Sequence, residues 1–256
     1  MTATSFNLKG KVAIVTGGNG GIGLGMAQGL ADAGANIVIA ARDTQKSTTA
    51  VAALGKRGVR AIAVSCDVTD AASVTAMVAA TSKEFGRVDI LVNNAGINIR
   101  NPVHDMSLED WHKVMDTNLT SAFLCCKAVH PEMKKAGGGK IINIGSMLSL
   151  FGTAYAPAYG ASKGGIVQLT KSLAAAWAAD NIQANAVLPG WIDTDLTRGA
   201  REQVPTLNDN VLRRTPAKRW GTIDDMSGIA VFLASPASDF VTGAAIPVDG
   251  GFSALG

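Results

Sequence analysis

Cysteine and histidine are scarce in this chain, and each scarcity removes a class of protein. The three cysteines, Cys66, Cys125 and Cys126, are odd in number and sit in apolar strand-like or helix-like stretches. That pattern suits reduced, buried thiols and excludes a disulfide framework. The three histidines, His104, His112 and His130, show no metal-ligand spacing, so no metal site is expected. Charge of one sign is also lacking: the formal net charge is +3 and no dense Lys/Arg run occurs. Without a basic stripe, nucleic acid is not an expected partner. No segment offers the roughly twenty uninterrupted apolar residues of a membrane span. Met1 to Leu8 carries neither a basic leader nor an apolar run. The expectation is a cytoplasmic protein with no membrane contact. Repeats, low-complexity tracts and Pro-rich linkers are absent as well, and Gly137-Gly138-Gly139 reads as a turn rather than a domain boundary.

What is present is alternation. Short apolar runs at Val12 to Val15, Asn36 to Ala40, Ala61 to Ser65, Ile90 to Asn93, Lys140 to Ile144, Gln183 to Leu188 and Ala245 to Val248 read as strands. Helical spacing fills the intervals, as in Ala71 to Phe85, Leu108 to Lys135 and Tyr155 to Ala179. Strand–helix alternation demands crossover connections, hence parallel strands with helices on both faces. The expected fold is α/β, a doubly wound Rossmann-type sheet of about seven strands. With 256 residues, 47% of them apolar, one domain spanning 1–256 is expected. Asp195 to Thr215 is the least regular stretch, mixing charges, Pro205 and scattered leucines.

Two local patterns carry chemistry. The strand Lys11 to Thr16 runs directly into Gly17-Gly18-Asn19-Gly20-Gly21-Ile22-Gly23, which opens a helix. A glycine-rich turn there lets backbone approach a pyrophosphate, and the helix N-terminus supplies unpaired N–H groups. The second pattern is Tyr159-Gly160-Ala161-Ser162-Lys163 with Ser146 upstream. Residues four apart share a helix face, so the Lys163 ammonium can favour the Tyr159 phenolate. A free phenol titrates near about 10, too high for general acid–base work at neutrality, and a neighbouring cation is the simplest remedy. Tyr155 lacks a lysine four residues on and is a pocket wall or packing residue. Trp191, Met147 and Leu148 can line a pocket or pack, and Arg100 can pair with a substrate carboxylate or be an exposed structural arginine.

Taken in order, these motifs resemble the short-chain dehydrogenase/reductase family from Gly10 to about Gly251. Thr16-Gly17-x-x-x-Gly21-Ile22-Gly23 is similar to its nucleotide loop, Asp67-Val68 to its adenine-side pair, and Asn93-Asn94-Ala95-Gly96 to its turn after the fourth strand. Asn118, Ser146, Tyr159 and Lys163 match its catalytic tetrad, and Pro189-Gly190-Trp191-Ile192-Asp193-Thr194 its nicotinamide segment. The resemblance implies that Tyr159 exchanges a proton with the substrate oxygen and that Ser146 donates to it. Lys163 then lowers the tyrosine pKa and holds the nicotinamide ribose. It further implies a substrate lid at 195–215 and a homotetramer. For the tetramer, Ala161, Gly164, Gly165 and Ala174 to Ala176, together with a tail carrying Phe252 and Leu255, supply a packing motive.

Cofactor choice turns on the end of the second strand. An acid there would bind the ribose hydroxyl of NAD and repel the 2′-phosphate of NADP. Ala41 holds that position and Arg42 follows, which favours NADP(H), with NAD(H) still possible because Gly20 brings no second basic residue and Asp43 can offset Arg42. The implied activity is NAD(P)-dependent interconversion of a secondary alcohol and a ketone. Gly145 to Ser149 and Arg219-Trp220-Gly221 are loosely similar to sugar-acid members such as gluconate and deoxygluconate dehydrogenases. A 3-oxoacyl-thioester reductase and a non-catalytic nucleotide sensor remain alternatives.

Overall fold

Runs rich in valine, isoleucine and alanine form strands here because such side chains fill a pleated surface packed on both faces. A computed structural model describes residues 3–255; Met1, Thr2 and Gly256, the outer ends of the stretches considered as leader and tail, lie outside them. The strands are β1 (Val12–Thr16), β2 (Asn36–Ala41), β3 (Ala61–Ser65), β4 (Ile90–Asn93), β5 (Gly139–Ile144), β6 (Ile182–Pro189) and β7 (Ala245–Val248). They form one sheet in the order β3-β2-β1-β4-β5-β6-β7, and every neighbouring pair is parallel. The order reverses between β1 and β4, which opens a crevice at the carboxyl ends of those strands.

The helices are α1 (Gly21–Asp32), α2 (Thr44–Gly55), α3 (Ala71–Phe85), α4 (Leu108–Met115), α5 (Ser121–Lys135), α6 (Pro157–Trp177), α7 (Asp195–Gln203), α8 (Leu207–Arg214) and α9 (Ser227–Ala234). Alternate residues of each strand feed opposite cores, as a period of two requires. Ala13, Val15, Ile37 and Ile39 pack with Met26 and Leu30 of α1 and Leu233 of α9. Val12, Ile14, Val38 and Ala40 pack on the other face with Met77 of α3, Val129 and Met133 of α5, and Leu173 of α6. All three cysteines are buried and free, and burial raises each thiol above its ordinary value.

Three expectations about helices need correction. Leu108 to Lys135 is not one helix: a π-helical turn at Asp116–Thr120 separates α4 from α5. The wider turn aims Asn118 inward, and such turns recur at functional sites. The helix bearing Tyr159 begins at Pro157, since proline at the first position needs no intrahelical N–H partner, so Tyr155 precedes it and is 64% exposed. Tyr155 lies largely in solvent and is not among the residues lining the chambers at the strand edge. Finally, 195–215 is ordered as α7 and α8, with Thr194 capping α7 through the Thr197 N–H.

Polar side chains inside the sheet are linked to one another, although the buried Asn93 Oδ1 has no partner. Asn93 Nδ2 donates to Asn143 Oδ1 at 2.8 Å and Asn143 Nδ2 donates to Thr170 Oγ1 at 2.9 Å, which ties β4 to β5 and β5 to α6. Asn143 is fully buried. Replacing it by alanine strands its partners and leaves a small void, so Asn143→Ala should lower unfolding stability by about 1–3 kcal/mol. Urea denaturation with an unchanged m-value would measure it; a loss below a few tenths of a kcal/mol, of order RT or less, would show the network to be dispensable.

Candidate active site

Parallel strands deliver their carboxyl ends to one edge, and the loops leaving β1, β2, β3, β4, β5 and β6 meet there. Gly17 takes φ of +62°, a left-handed conformation that favours glycine, with Asn94 Nδ2 donating to its carbonyl at 3.1 Å. A side chain at Gly23 would come within 2.7 Å of that same carbonyl, so the glycine allows α1 to close against the loop. Gly18 packs over Val15 and Ile39 in the same way. The α1 N-terminus has Gly20 as its cap and no side-chain hydrogen bond, so its first N–H groups have no capping partner. A pyrophosphate fits that set of donors.

Three connected chambers lie along the edge. One, of about 340 Å³, is lined by Gly17, Asn19, Gly20, Gly21 and Ile22 on one side. Asn94, Ala95, Gly96, Ser146, Tyr159, Lys163, Pro189, Gly190, Ile192 and Thr194 complete its wall. A second, of about 350 Å³, shares Gly17, Asn19, Ala95 and Gly96 with the first and extends past Ala41, Arg42, Asp67 and Val68. The third, of about 260 Å³, shares Ser146, Tyr159, Pro189 and Gly190 with the first and is walled by Asn98, Arg100, Met147, Leu148, Trp191 and Arg214. Ser146 and Tyr159 therefore stand at the junction of an elongated double chamber and a separate cavity. Of the sequence candidates for cofactor contact, only Gly18 and Gly23 stay out of the lining, where they shape the loop from behind.

Lys163 is 4% exposed, and its Nζ donates to the Ile144 carbonyl at 2.7 Å. Burial holds its pKa down at about 8. Its ammonium lies 5.6 Å from the centroid of the Tyr159 ring. The phenol, however, is raised above its ordinary value, because burial outweighs the Ser146 hydroxyl and the Arg100 charge, both of which favour the phenolate. The expectation that Lys163 sets a lowered tyrosine pKa is corrected: in the protein alone, desolvation wins. Asn118 does not serve a carbonyl of its own helix. Its Oδ1 accepts from the Ile97 N–H at 2.8 Å, and its Nδ2 donates to the Ile97 carbonyl at 2.9 Å and to Ser162 Oγ at 3.1 Å. Asn118 thus clamps the loop after β4 to the helix that carries Tyr159.

Arg42 projects into solvent, with its Nη1 3.9 Å from Asp67 Oδ2. Asp43 forms no ion pair with it; its carboxylate caps α2 by accepting from the Lys46 N–H at 2.9 Å. Arg100 is half-buried in the third chamber and donates to Gln203 Oε1 at 3.1 Å, so it is not the exposed arginine that seemed the simpler reading. Trp191, Met147 and Leu148 all line that chamber.

Sequence reasoning missed three residues. Lys46 lies over Gly20, so a basic side chain reaches the phosphate loop from α2 rather than from the loop itself, and its Nζ meets Asp195 Oδ2 at 3.1 Å. Ser149 Oγ accepts from the Ser146 N–H at 3.2 Å and donates to the Lys163 carbonyl at 2.7 Å, bracing one motif against the other. Arg214 lines the third chamber. The cap pattern Asp43-x-x-Lys46 was visible in the chain, but no local signal pointed Lys46 across the loop.

A seven-stranded parallel sheet with a Tyr–Lys pair and an uncapped glycine-rich helix start at the same edge defines a dinucleotide-dependent oxidoreductase. The chain belongs to the short-chain dehydrogenase/reductase family. A family model described as enoyl-(acyl carrier protein) reductase matches residues 17–253. A short-chain type dehydrogenase/reductase from Mycobacterium marinum is 34% identical with a TM-score of 0.92, covering 97% of this chain and 98% of that one. The 2-dehydro-3-deoxy-D-gluconate 5-dehydrogenase of Dickeya dadantii is 44% identical across 99% of this chain and 100% of its own length. A gluconate 5-dehydrogenase from Burkholderia cenocepacia, solved in complex with NADP and tartrate, is 42% identical with a TM-score of 0.94 and covers 99% of both chains. The protein is an oxidoreductase that interconverts a secondary alcohol and a ketone with a nicotinamide cofactor.

The buried lysine predicts a pH dependence. Lys163 is charged below about 8 and loses its charge above it. Were Tyr159 to protonate the ketone oxygen, its raised pKa would keep it protonated, and a charged Lys163 beside it would make that phenol a better acid. The kcat/KM for reduction should therefore hold through neutrality and fall as pH rises past about 8. A profile that keeps rising to pH 10, near the ordinary phenol value, would contradict this assignment.

Proposed function

We propose that the protein acts on a sugar acid, interconverting a secondary hydroxyl and a ketone, with NADP(H) preferred over NAD(H) and Tyr159 as the general acid–base. The observation that carries this reading is the third chamber. It opens on the Ser146 and Tyr159 hydroxyls, and its charged lining residues are arginines with no carboxylate among them. Relatives named for deoxygluconate and gluconate oxidation, one of them solved with NADP, support the same substrate class.

The two longer chambers suit the cofactor. Gly17 and Asn19 to Ile22 would hold the pyrophosphate, with Gly18 and Gly23 shaping the loop behind them; Asp67 and Val68 would meet the adenine side, and Asn94 to Gly96 with Pro189, Gly190, Ile192 and Thr194 the nicotinamide. NADP(H), when bound, supplies or accepts the hydride. In reduction Tyr159 gives its proton to the substrate oxygen, and in oxidation it takes the proton back. Ser146 donates to the same oxygen, so both donors are fixed before negative charge gathers there and stabilise the transition state more than the ground state. Lys163 offsets the cost of a buried phenolate once the proton has left, and its remaining N–H groups serve the nicotinamide ribose. Asn118 positions α6 through Ile97 and Ser162.

The NADP preference rests on Arg42, exposed and only loosely held by Asp67, on Lys46 over the phosphate loop, and on the missing acid at Ala41. The α7–α8 segment, 195–215, acts as the substrate lid, and residues 1–256 work as one catalytic unit in the cytoplasm. The assembly is a homotetramer. Ala161, Ala175 and Ala176 remain exposed on α6 and Phe123 is 48% exposed on α5, faces that a second copy can cover. Other parts of the packing motive act within the chain: Gly165 abuts Leu119, Ala174 is buried, and Phe252 packs on Met147 and Leu188 of its own subunit.

NADPH oxidation followed with 5-keto-D-gluconate, a neutral ketohexose and an acetoacetyl thioester tests the substrate class; a preference for the thioester would refute it. Tyr159→Phe removes one hydroxyl and should cut turnover by a factor on the order of 10² or more while NADPH binding survives. For Arg42→Ala, NADP affinity should fall roughly ten- to a hundredfold with NAD nearly unaffected, and equal losses for both cofactors would sink the specificity argument. Light scattering should give about four times the 26.2 kDa chain mass, and a fully active monomer would end the tetramer reading.

A further inference from the structure

Every arginine but one, among the described residues, has a polar side-chain partner. Arg42, Arg57, Arg60, Arg87, Arg198, Arg201 and Arg219 pair with carboxylates, and Arg100 and Arg213 with side-chain amides. Arg214 has neither. It is the last residue of α8, and its guanidinium carbon stands 4.1 Å from the centroid of Phe252 and 5.2 Å from that of Phe151. These rings meet edge to face at 6.3 Å, and Phe252 is anchored on Met147 and Leu188. A stacked guanidinium keeps its edge N–H groups free, and here they belong to the lining of the substrate chamber.

From these observations we infer that Arg214 is the anchor for the substrate's carboxylate. The inference rests on the sugar-acid reading and names the residue that enforces it. A planar fork with two parallel donors matches a carboxylate, and stacking on two rings holds the plane in place before the ligand arrives. The two cations in the chamber have different stations. Arg100 lies close enough to Tyr159 to favour its phenolate, and its Nη1 is engaged by Gln203; that places it at the reacting end. Arg214, beside Phe151 and Phe252, is not among the charges that act on Tyr159, which leaves it for the acid end of an extended substrate whose reacting hydroxyl is several carbons from the carboxylate. Asn98 lines the same chamber with a buried Oδ1 that has no hydrogen-bond partner, an acceptor suited to a substrate hydroxyl. Because Arg214 ends α8, capture of the carboxylate also ties the lid to the substrate.

The test compares 5-keto-D-gluconate with the neutral ketose D-fructose under saturating NADPH, in the wild type, Arg214→Met and Arg214→Lys. Methionine keeps the apolar contact with the two rings and removes the charge; lysine keeps the charge and removes the fork. For Arg214→Met, KM for the acid should rise ten- to a hundredfold with kcat changed less than about threefold, and the ratio of kcat/KM for acid over neutral substrate should collapse by the same factor. Arg214→Lys should recover part of that ratio. Thermal melting and NADPH titration check that each variant folds and holds cofactor. If the wild type itself shows no preference for the acid, the sugar-acid reading and this assignment fall together. If the wild type prefers the acid and Arg214→Met keeps that preference, only the assignment of Arg214 is overturned.

Discussion

At the carboxyl end of β5 the Ile144 carbonyl accepts a hydrogen bond from the Lys163 ammonium at 2.7 Å, and the geometry of the site hangs on that contact. A cation with 4% exposure loses most of its hydration, and one backbone carbonyl restores only part of it. The cost appears as a pKa pulled from the ordinary 10.5 to about 8. A depressed lysine pKa makes the folded state less stable wherever the unfolded chain would be protonated. The penalty is fully present below about 8 and fades as pH rises toward 10.5. The protein keeps this charge in place because α6 is fastened to the sheet around it. Ser149 bridges the Ser146 N–H and the Lys163 carbonyl, and Asn118 joins Ile97 to Ser162.

The same fastening explains how two hydroxyls come to face one point. Ser146 follows β5 and Tyr159 belongs to α6, so their spacing depends on the helix docking against the strand and not on local sequence. The π-helical turn at Asp116–Thr120 serves that docking from the other side, since a regular turn would aim Asn118 elsewhere. A phenol kept protonated by burial and a nearby lysine of low pKa form a pair whose protons are coupled, and pH responses belong to the pair rather than to either residue.

The cations along the crevice differ in character. Near β2, Arg42 and Lys46 are exposed side chains with exposed carboxylate partners, Asp67 at 3.9 Å and Asp195 at 3.1 Å, which a phosphate can displace at small cost. In the third chamber Arg214 is stacked on aromatic rings, which suits the recognition of a planar group. The Lys46–Asp195 pair joins α2 to the start of α7 and Arg214 ends α8, so residues of 195–214 line both the first chamber and the third.

Much of this was determined by the chain alone. The seven strands appear within a residue or so of their apolar runs, because fully buried parallel strands must be continuous hydrophobic stretches. The glycine loop, Asn118, Ser146, Tyr159 and Lys163 were legible because their spacing is local and their order along the chain matches a family. What sequence could not supply depends on distance in space. Lys46 reaches Gly20 across two separate turns, and Arg214 meets Phe151 and Phe252 from segments far apart in the chain. The sign of the Tyr159 shift was also out of reach: helical spacing brings a cation near, but only the packed structure reveals that desolvation of the phenol outweighs it. Periodicity records which face a residue occupies, whereas burial and the pairing of distant side chains arise only when the layers close.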